Sequence, residues 1–262
     1  LMAMKIFARR NADYMRTASK DDRRYLLYTP LTKMKVTTQG EEVINLIWDV
    51  IAARGFEKDT FFEIAATDIR SLPKLEGTVH VNMALIIKFM ANYFFNPGEF
   101  PEVPKRDDAA CDTFLFKQGP TKGLGKIQFH DFNIAYSSVN LPNVNIFKEQ
   151  IKILQEMLIN ASPNKDQAKN MDFLLYLGEM FTNVAYGQLL IEKFNMDQFE
   201  EDLLEQIFDF MIRDFSEFAL KLYSKTVTTE AQMEYCQKMI KKPVIDQDRF
   251  DRIWNDKIMV LK

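Results

Sequence analysis

Glycine and proline are almost missing from most of this chain, while apolar residues return every third or fourth position. Half of its nine glycines and nine prolines lie within residues 96–146. Elsewhere there are too few backbone breakers to punctuate a sheet of short strands, and the spacing matches one face of a 3.6-residue turn. The predicted class is all-α: an antiparallel up-and-down helical bundle followed by a second helical bundle.

The periodicity predicts helices over 2–18, 35–54, 59–71 and from 76 onward, the last carrying "VNMALIIKFMANYFF". Met4, Phe7, Ala8, Tyr14 and Met15 face inward in the first, and "SKDD" (19–22) breaks it with capping residues. Gly55 is read as the C-cap of the second helix, and the third stops before Pro73. Further helices are predicted over 147–161, 166–194, 197–224, 228–241 and 246–257. Leu174, Leu175 and Leu177, then Phe208, Met211, Ile212 and Phe215, give two of these broad apolar faces. Residues 96–146 are too long for a plain connector. We read them as a strap across a surface, held by Phe114, Phe116, Phe129 and Phe132. The domain reading is therefore 1–95, a connector at 96–146, and 147–262.

Charge excludes some classes of function. There are 34 basic against 37 acidic residues, a net charge of −3, which gives no electrostatic footprint for nucleic acid. Two cysteines cannot build a disulfide framework, so a reducing, cytoplasmic setting is expected. Two histidines make a histidine-rich metal site unexpected. Apolar runs are broken by Lys88 and Glu192, and acidic faces such as "QFEEDLLEQ" do not suit a membrane surface; membrane association is not indicated. Leu1 opens in the middle of an amphipathic pattern, so the chain is expected to continue a longer protein whose first part is not included.

Several motifs reduce to structure. "TKGLGK" (121–126) lacks the GxxxxGK[ST] spacing and reads as a surface loop. His130–Asp131 has no neighbouring nucleophile and reads as a loop anchor. Cys111, in "DDAACDTF", is expected to have a raised pKa from its acidic neighbours. The 22 phenylalanines and 14 methionines at helical spacing read as core. "KLEGTVHVN" (74–82) does not reduce so easily. Glu76–Gly77–Thr78 sits where a helix is about to begin, with a glycine whose use is a sharp turn or a close backbone approach. Glu76 is either a carboxylate on a helix dipole or a base.

Residues 50–78, "VIAARGFEKDTFFEIAATDIRSLPKLEGT", resemble the C-terminal helical domain of acyl-CoA dehydrogenases. Gly55–Phe56, Phe62–Glu63, Thr67–Asp68–Ile69 and Glu76–Gly77–Thr78 follow that family's order, with its interval between the Gly-Phe turn and the glutamate. "LMAMKIFARRNADYM" is similar to the preceding helix, and the extension at 147–262 is similar in arrangement to the very-long-chain branch. The resemblance implies α,β-dehydrogenation of an acyl-CoA thioester in lipid oxidation. Glu76 would take the α-proton, and hydride would pass to FAD. It also implies an electron-transferring flavoprotein as partner and a homo-oligomer, dimer or tetramer.

By the same resemblance the Glu76 amide would hold the thioester oxygen, and Gly77, Thr78 and His80 would lie along the flavin. Asp49, Ala52 and Ala53 would face the flavin of a neighbouring subunit. These three replace the family's Gln and Gly-Gly pair, Thr67 replaces its Arg, and His80 replaces its Gln. The alternative is a non-catalytic helical scaffold derived from the same fold.

Overall fold

The computed structural model describes residues 1–109, 111–118 and 122–260. Among these the regular elements are helices, and no strand occurs. The chain divides into two compact units, Leu1–Phe129 and His130–Lys262, and the boundary falls inside the expected connector.

The first unit contains α1 (Met2–Thr17), α2 (Tyr25–Ile51), α3 (Phe61–Ser71), α4 (Val79–Ile86), α5 (Met90–Phe95) and the short α6 (Thr113–Lys117). Helix α2 starts ten residues before the predicted position 35. Pro30 removes one backbone donor, which hides this start in the sequence. The buried face of Tyr25, Leu27, Tyr28, Leu31 and Met34 carries the helix through it. At the other end α2 stops at Ile51, and Ala52 takes the positive φ of 51° that ends it. Gly55 is therefore not the C-cap. It is buried against Trp48, where a Cβ would lie 2.5 Å from Nε1. Helix α3 begins at Thr60, whose hydroxyl accepts from the Glu63 amide at 3.2 Å, while Glu63 accepts from the Asp59 amide at 3.1 Å.

Residues 96–109 and 122–129 are tied down onto the helices before them. Arg10 donates to the Val103 carbonyl at 2.8 Å, Asp13 accepts from the Arg106 amide at 2.9 Å, and Arg24 donates to the Pro101 carbonyl at 3.2 Å. Asn92 reaches the carbonyls of Gly125 and Ile127, both at 2.9 Å. Phe129 is fully buried, with Tyr28, Phe89 and Tyr93 packed around its ring at 5.8–6.2 Å. Phe116 does not anchor the strap: it is 86% exposed, and Val103 and Ile127 are buried instead.

The second unit contains α7 (Phe132–Ser137), α8 (Pro142–Asn160), α9 (Met171–Asp197), α10 (Glu201–Tyr223), α11 (Glu230–Met239) and α12 (Gln247–Ile253). The predicted helices correspond to α8–α12 with ends shifted by up to five residues, and α7 lies within the expected connector. Caps set the observed starts: Pro142 at the first turn of α8, Asn170 accepting from the Phe173 amide, and a Thr229–Gln232 capping box on α11. Phe147 packs edge-on against Phe208 and Phe215 at 5.4 and 5.5 Å. Buried Gln150 ties α8 to the Met239 carbonyl at 2.8 Å. Helix α12 is held to α10 by charge. Arg249 lies 3.3 Å from Glu205 and 3.6 Å from Asp209, all three buried, and Arg252 lies 2.6 Å from Asp202.

Candidate functional site

The segment running from α3 to α4 is fixed by one side of α2. Arg70 stacks its guanidinium over the Trp48 ring at 4.4 Å and donates to Asn45 at 2.6 Å. Lys74 pairs with Glu41 at 2.8 Å. Lys33 donates to the carbonyl of Gly77, which also accepts from Asn82 at 3.1 Å. Asn82 donates to the Thr78 carbonyl as well, at 3.0 Å.

Between these holds the backbone turns sharply. Glu76 has φ 50° and Gly77 φ 96°, two consecutive residues in the left-handed region. Gly77 occupies it at little steric cost; Glu76 does so against its Cβ. Helix α4 begins only at Val79, with Thr78 as its N-cap and no side-chain cap bond. The predicted helix from Glu76 is thus displaced. Glu76–Gly77–Thr78 precedes the helix as a turn, because the two positive φ values cannot continue an α-helix.

Glu76, Thr78 and His80 are exposed and Gly77 is half-buried. Among the described residues the Glu76 carboxylate takes no hydrogen bond and no ion pair, and the amides of Glu76, Gly77 and Thr78 donate none. A carboxylate with no partner stands beside unengaged N–H groups and the open N-terminus of α4. Such donors suit an oxyanion or a phosphate oxygen.

Asp49, Ala52 and Ala53 are exposed at the far end of α2. Sixteen helical residues separate Lys33, beside the turn, from Asp49, about 24 Å at 1.5 Å per residue. The expected site residues therefore form two groups, not one. For a flavin, the group at Glu76–Thr78 fits: its free amides and the Thr78 hydroxyl match ribityl and phosphate oxygens. The group at Asp49 does not fit, since a carboxylate accepts but does not donate and the two alanines add no side-chain donor.

The remaining motifs have structural roles. Asp131 caps α7 by accepting from the Asn133 amide at 2.9 Å; the expected anchoring by His130 is not seen, since its buried Nδ1 has no hydrogen-bond partner among the described residues. Lys122, Gly123, Gly125 and Lys126 are exposed in a surface loop, with Thr121 outside the described residues, as are Gly119 and Pro120. The expected raised thiol at Cys111 is corrected. The Thr113 hydroxyl, 2.8 Å from Sγ, lowers its pKa, outweighing the nearby Asp112. Cys236 is the opposite case, buried and pushed up to about 12 by desolvation.

Among the described residues no group of three His, Cys, Asp or Glu side chains is placed to hold a metal ion. Among the described residues no helix is long and apolar enough to cross a membrane. Lys33 and Asn82 carry no sequence signal for the site, because their meeting point is a backbone carbonyl 44 residues from one and five from the other. Compared with protein-family models, curated proteins and solved structures, the chain matches none.

Proposed function

We propose that this chain carries the catalytic base of a flavin-dependent acyl-CoA dehydrogenase, with Glu76 removing the α-proton of an acyl-CoA thioester. The observation that carries the reading is the turn itself. A carboxylate without partners is presented outside the helix, next to its own unengaged amide. Resemblance at residues 50–78 supplies the chemistry. The helices of the first unit are proposed to form the family's antiparallel up-and-down bundle, and α8–α12 a second bundle.

In this reading the Glu76 carboxylate accepts the α-proton while its backbone N–H donates to the thioester oxygen, where negative charge develops. FAD, when bound, accepts the β-hydride. The open α4 N-terminus and Thr78 hold oxygens of the cofactor. Glu76 is exposed in this chain, so the walls that exclude water from the base come from outside it. An electron-transferring flavoprotein as acceptor, and a homo-oligomer, complete the proposal.

A scaffold without catalysis is the second reading, favoured by the exposed Asp49, Ala52 and Ala53 where a flavin needs donors. One experiment separates them. The complete polypeptide is purified, its flavin absorbance recorded, and short-, medium- and long-chain saturated acyl-CoA added without oxygen. Bleaching in the wild type and none in Glu76→Gln is expected. A protein without flavin establishes the scaffold reading, and equal bleaching in the variant places the base elsewhere.

A further inference from the structure

The Gly77 carbonyl receives two donors from different directions. Lys33 comes across from α2, and Asn82 comes back from the first turn of α4. Lys33 also reaches the Pro73 carbonyl at 3.4 Å, so one ammonium spans the residues on both sides of Glu76. Asn82 likewise spans Gly77 and Thr78. Resting on the proposed function, we infer that Lys33 and Asn82 are positioning residues that clamp the Glu76 turn and so fix the direction of the base.

The physical need is clear from the backbone. Glu76 at φ 50° is in a conformation that its own Cβ disfavours, and Gly77 beside it is the residue with the widest choice of alternatives. Left alone, a Glu-Gly pair populates several turn shapes, and each sends the carboxylate elsewhere. Peptide planes are rigid, so holding the Gly77 carbonyl fixes ψ of Gly77 and restricts φ and ψ of the residues before it. Lys33 supplies a charged donor on a half-buried stem, which makes the stronger of the two contacts. Neither side chain touches the Glu76 carboxylate, so neither is a proton carrier in the reaction.

A base must be held within a fraction of an ångström of its proton, and a misplacement of 1 Å costs on the order of 100-fold in rate. Loss of the clamp is therefore read as a rate effect with binding preserved.

The test uses two readouts. Exchange of the thioester α-hydrogen into deuterated solvent reports the base alone: Glu76 takes the proton, then returns a deuteron to the same carbon, with no net oxidation. Amide hydrogen exchange over residues 76–82 reports the turn, with no ligand present. In Lys33→Met we expect α-hydrogen exchange to slow about 10- to 100-fold at unchanged KM. Amide exchange at the turn should rise about tenfold, with α8–α11 unaffected. Asn82→Ala should do the same to a smaller extent, and it stands in if Lys33→Met fails to fold. Lys33→Arg should restore most of the rate.

Unchanged α-hydrogen exchange in both clamp variants, with Glu76→Gln inactive, overturns the clamp and leaves the base in place. Exchange that persists in Glu76→Gln overturns the proposed function and the positioning role together. A higher KM with an unchanged rate assigns Lys33 to substrate binding instead and also overturns the inference.

Discussion

The turn before α4 and the Arg249 cluster in the second unit treat charge in opposite ways. Around the turn, Lys74–Glu41 and Arg70–Asn45 lie at the surface, while apolar side chains face water; Leu75 is 55% and Val81 62% exposed. Around Arg249, three charged side chains are buried and the aromatic rings of Phe147, Phe208 and Phe215 close the core. A buried ionic group is costly unless every partner is in place, so it sets register more than it adds stability. An exposed apolar face marks a surface meant for contact. Both units leave apolar side chains in water, Ile245 at 80% and Ile159 at 65% in the second; in the proposed reading the end of the first that carries Glu76 is covered by the rest of the enzyme.

The comparison is most sharply tested at Arg249. Replacing it by methionine leaves Glu205 and Asp209 buried without their shared cation, and a loss of about 3–5 kcal/mol is expected. The chain has two tryptophans, Trp48 in the first unit and Trp254 in the second, which allows each unit to be followed separately. Urea unfolding of Arg249→Met in backgrounds retaining one tryptophan should shift the Trp254 transition and spare the Trp48 one. Equal shifts would mean the units unfold as one, and the contrast drawn here would not be energetic.

A smaller effect separates the two sites by pH. Burial raises the pKa of Glu205 above its ordinary 4.5, outweighing the Asn143 and Val144 amides and Arg249, which lower it. The folded chain then holds a proton that the unfolded chain has released. This group's contribution is fully present below pH 4.5 and is lost as pH rises through the folded value. Against Glu205→Gln, the wild type should gain stability as pH falls through that window, measured from urea midpoints. The opposite slope would mean that Arg249 dominates the site. Smallest of all is a contrast in thiols: Cys111 should react with a maleimide in the folded chain, and Cys236 only after unfolding. Equal labelling of both would show that α11 opens readily.

Much of this architecture was legible because helices are local. Apolar spacing carries the predicted elements of the second unit, whereas the starts that Pro142 and Asn170 mark are missed by five residues each. Where a tertiary contact overrides a local rule, the reading slipped. Pro30 hid the first turns of α2, and Gly55 looked like a cap when its purpose is to admit the Trp48 ring. Glu76 itself was legible from its glycine neighbour. Its left-handed backbone was not, since a glutamate seldom adopts it, and the Lys33 clamp was not, since no pattern links residues 44 apart.

Phe129 has a consequence for the order of events during synthesis. The ring that fills the centre of the first unit is made about a hundred residues after Tyr28, which it packs against, and the Asp13–Arg106 bond spans 93 residues. Helical units usually assemble from neighbours in the chain and assemble fast. Until residue 129 is made, Tyr28 on α2 and Phe89 between α4 and α5 lack the ring they pack against. A stall before residue 129 would leave Tyr28, Phe89 and Tyr93 without their central ring, and that window is where a chaperone would have the most to protect.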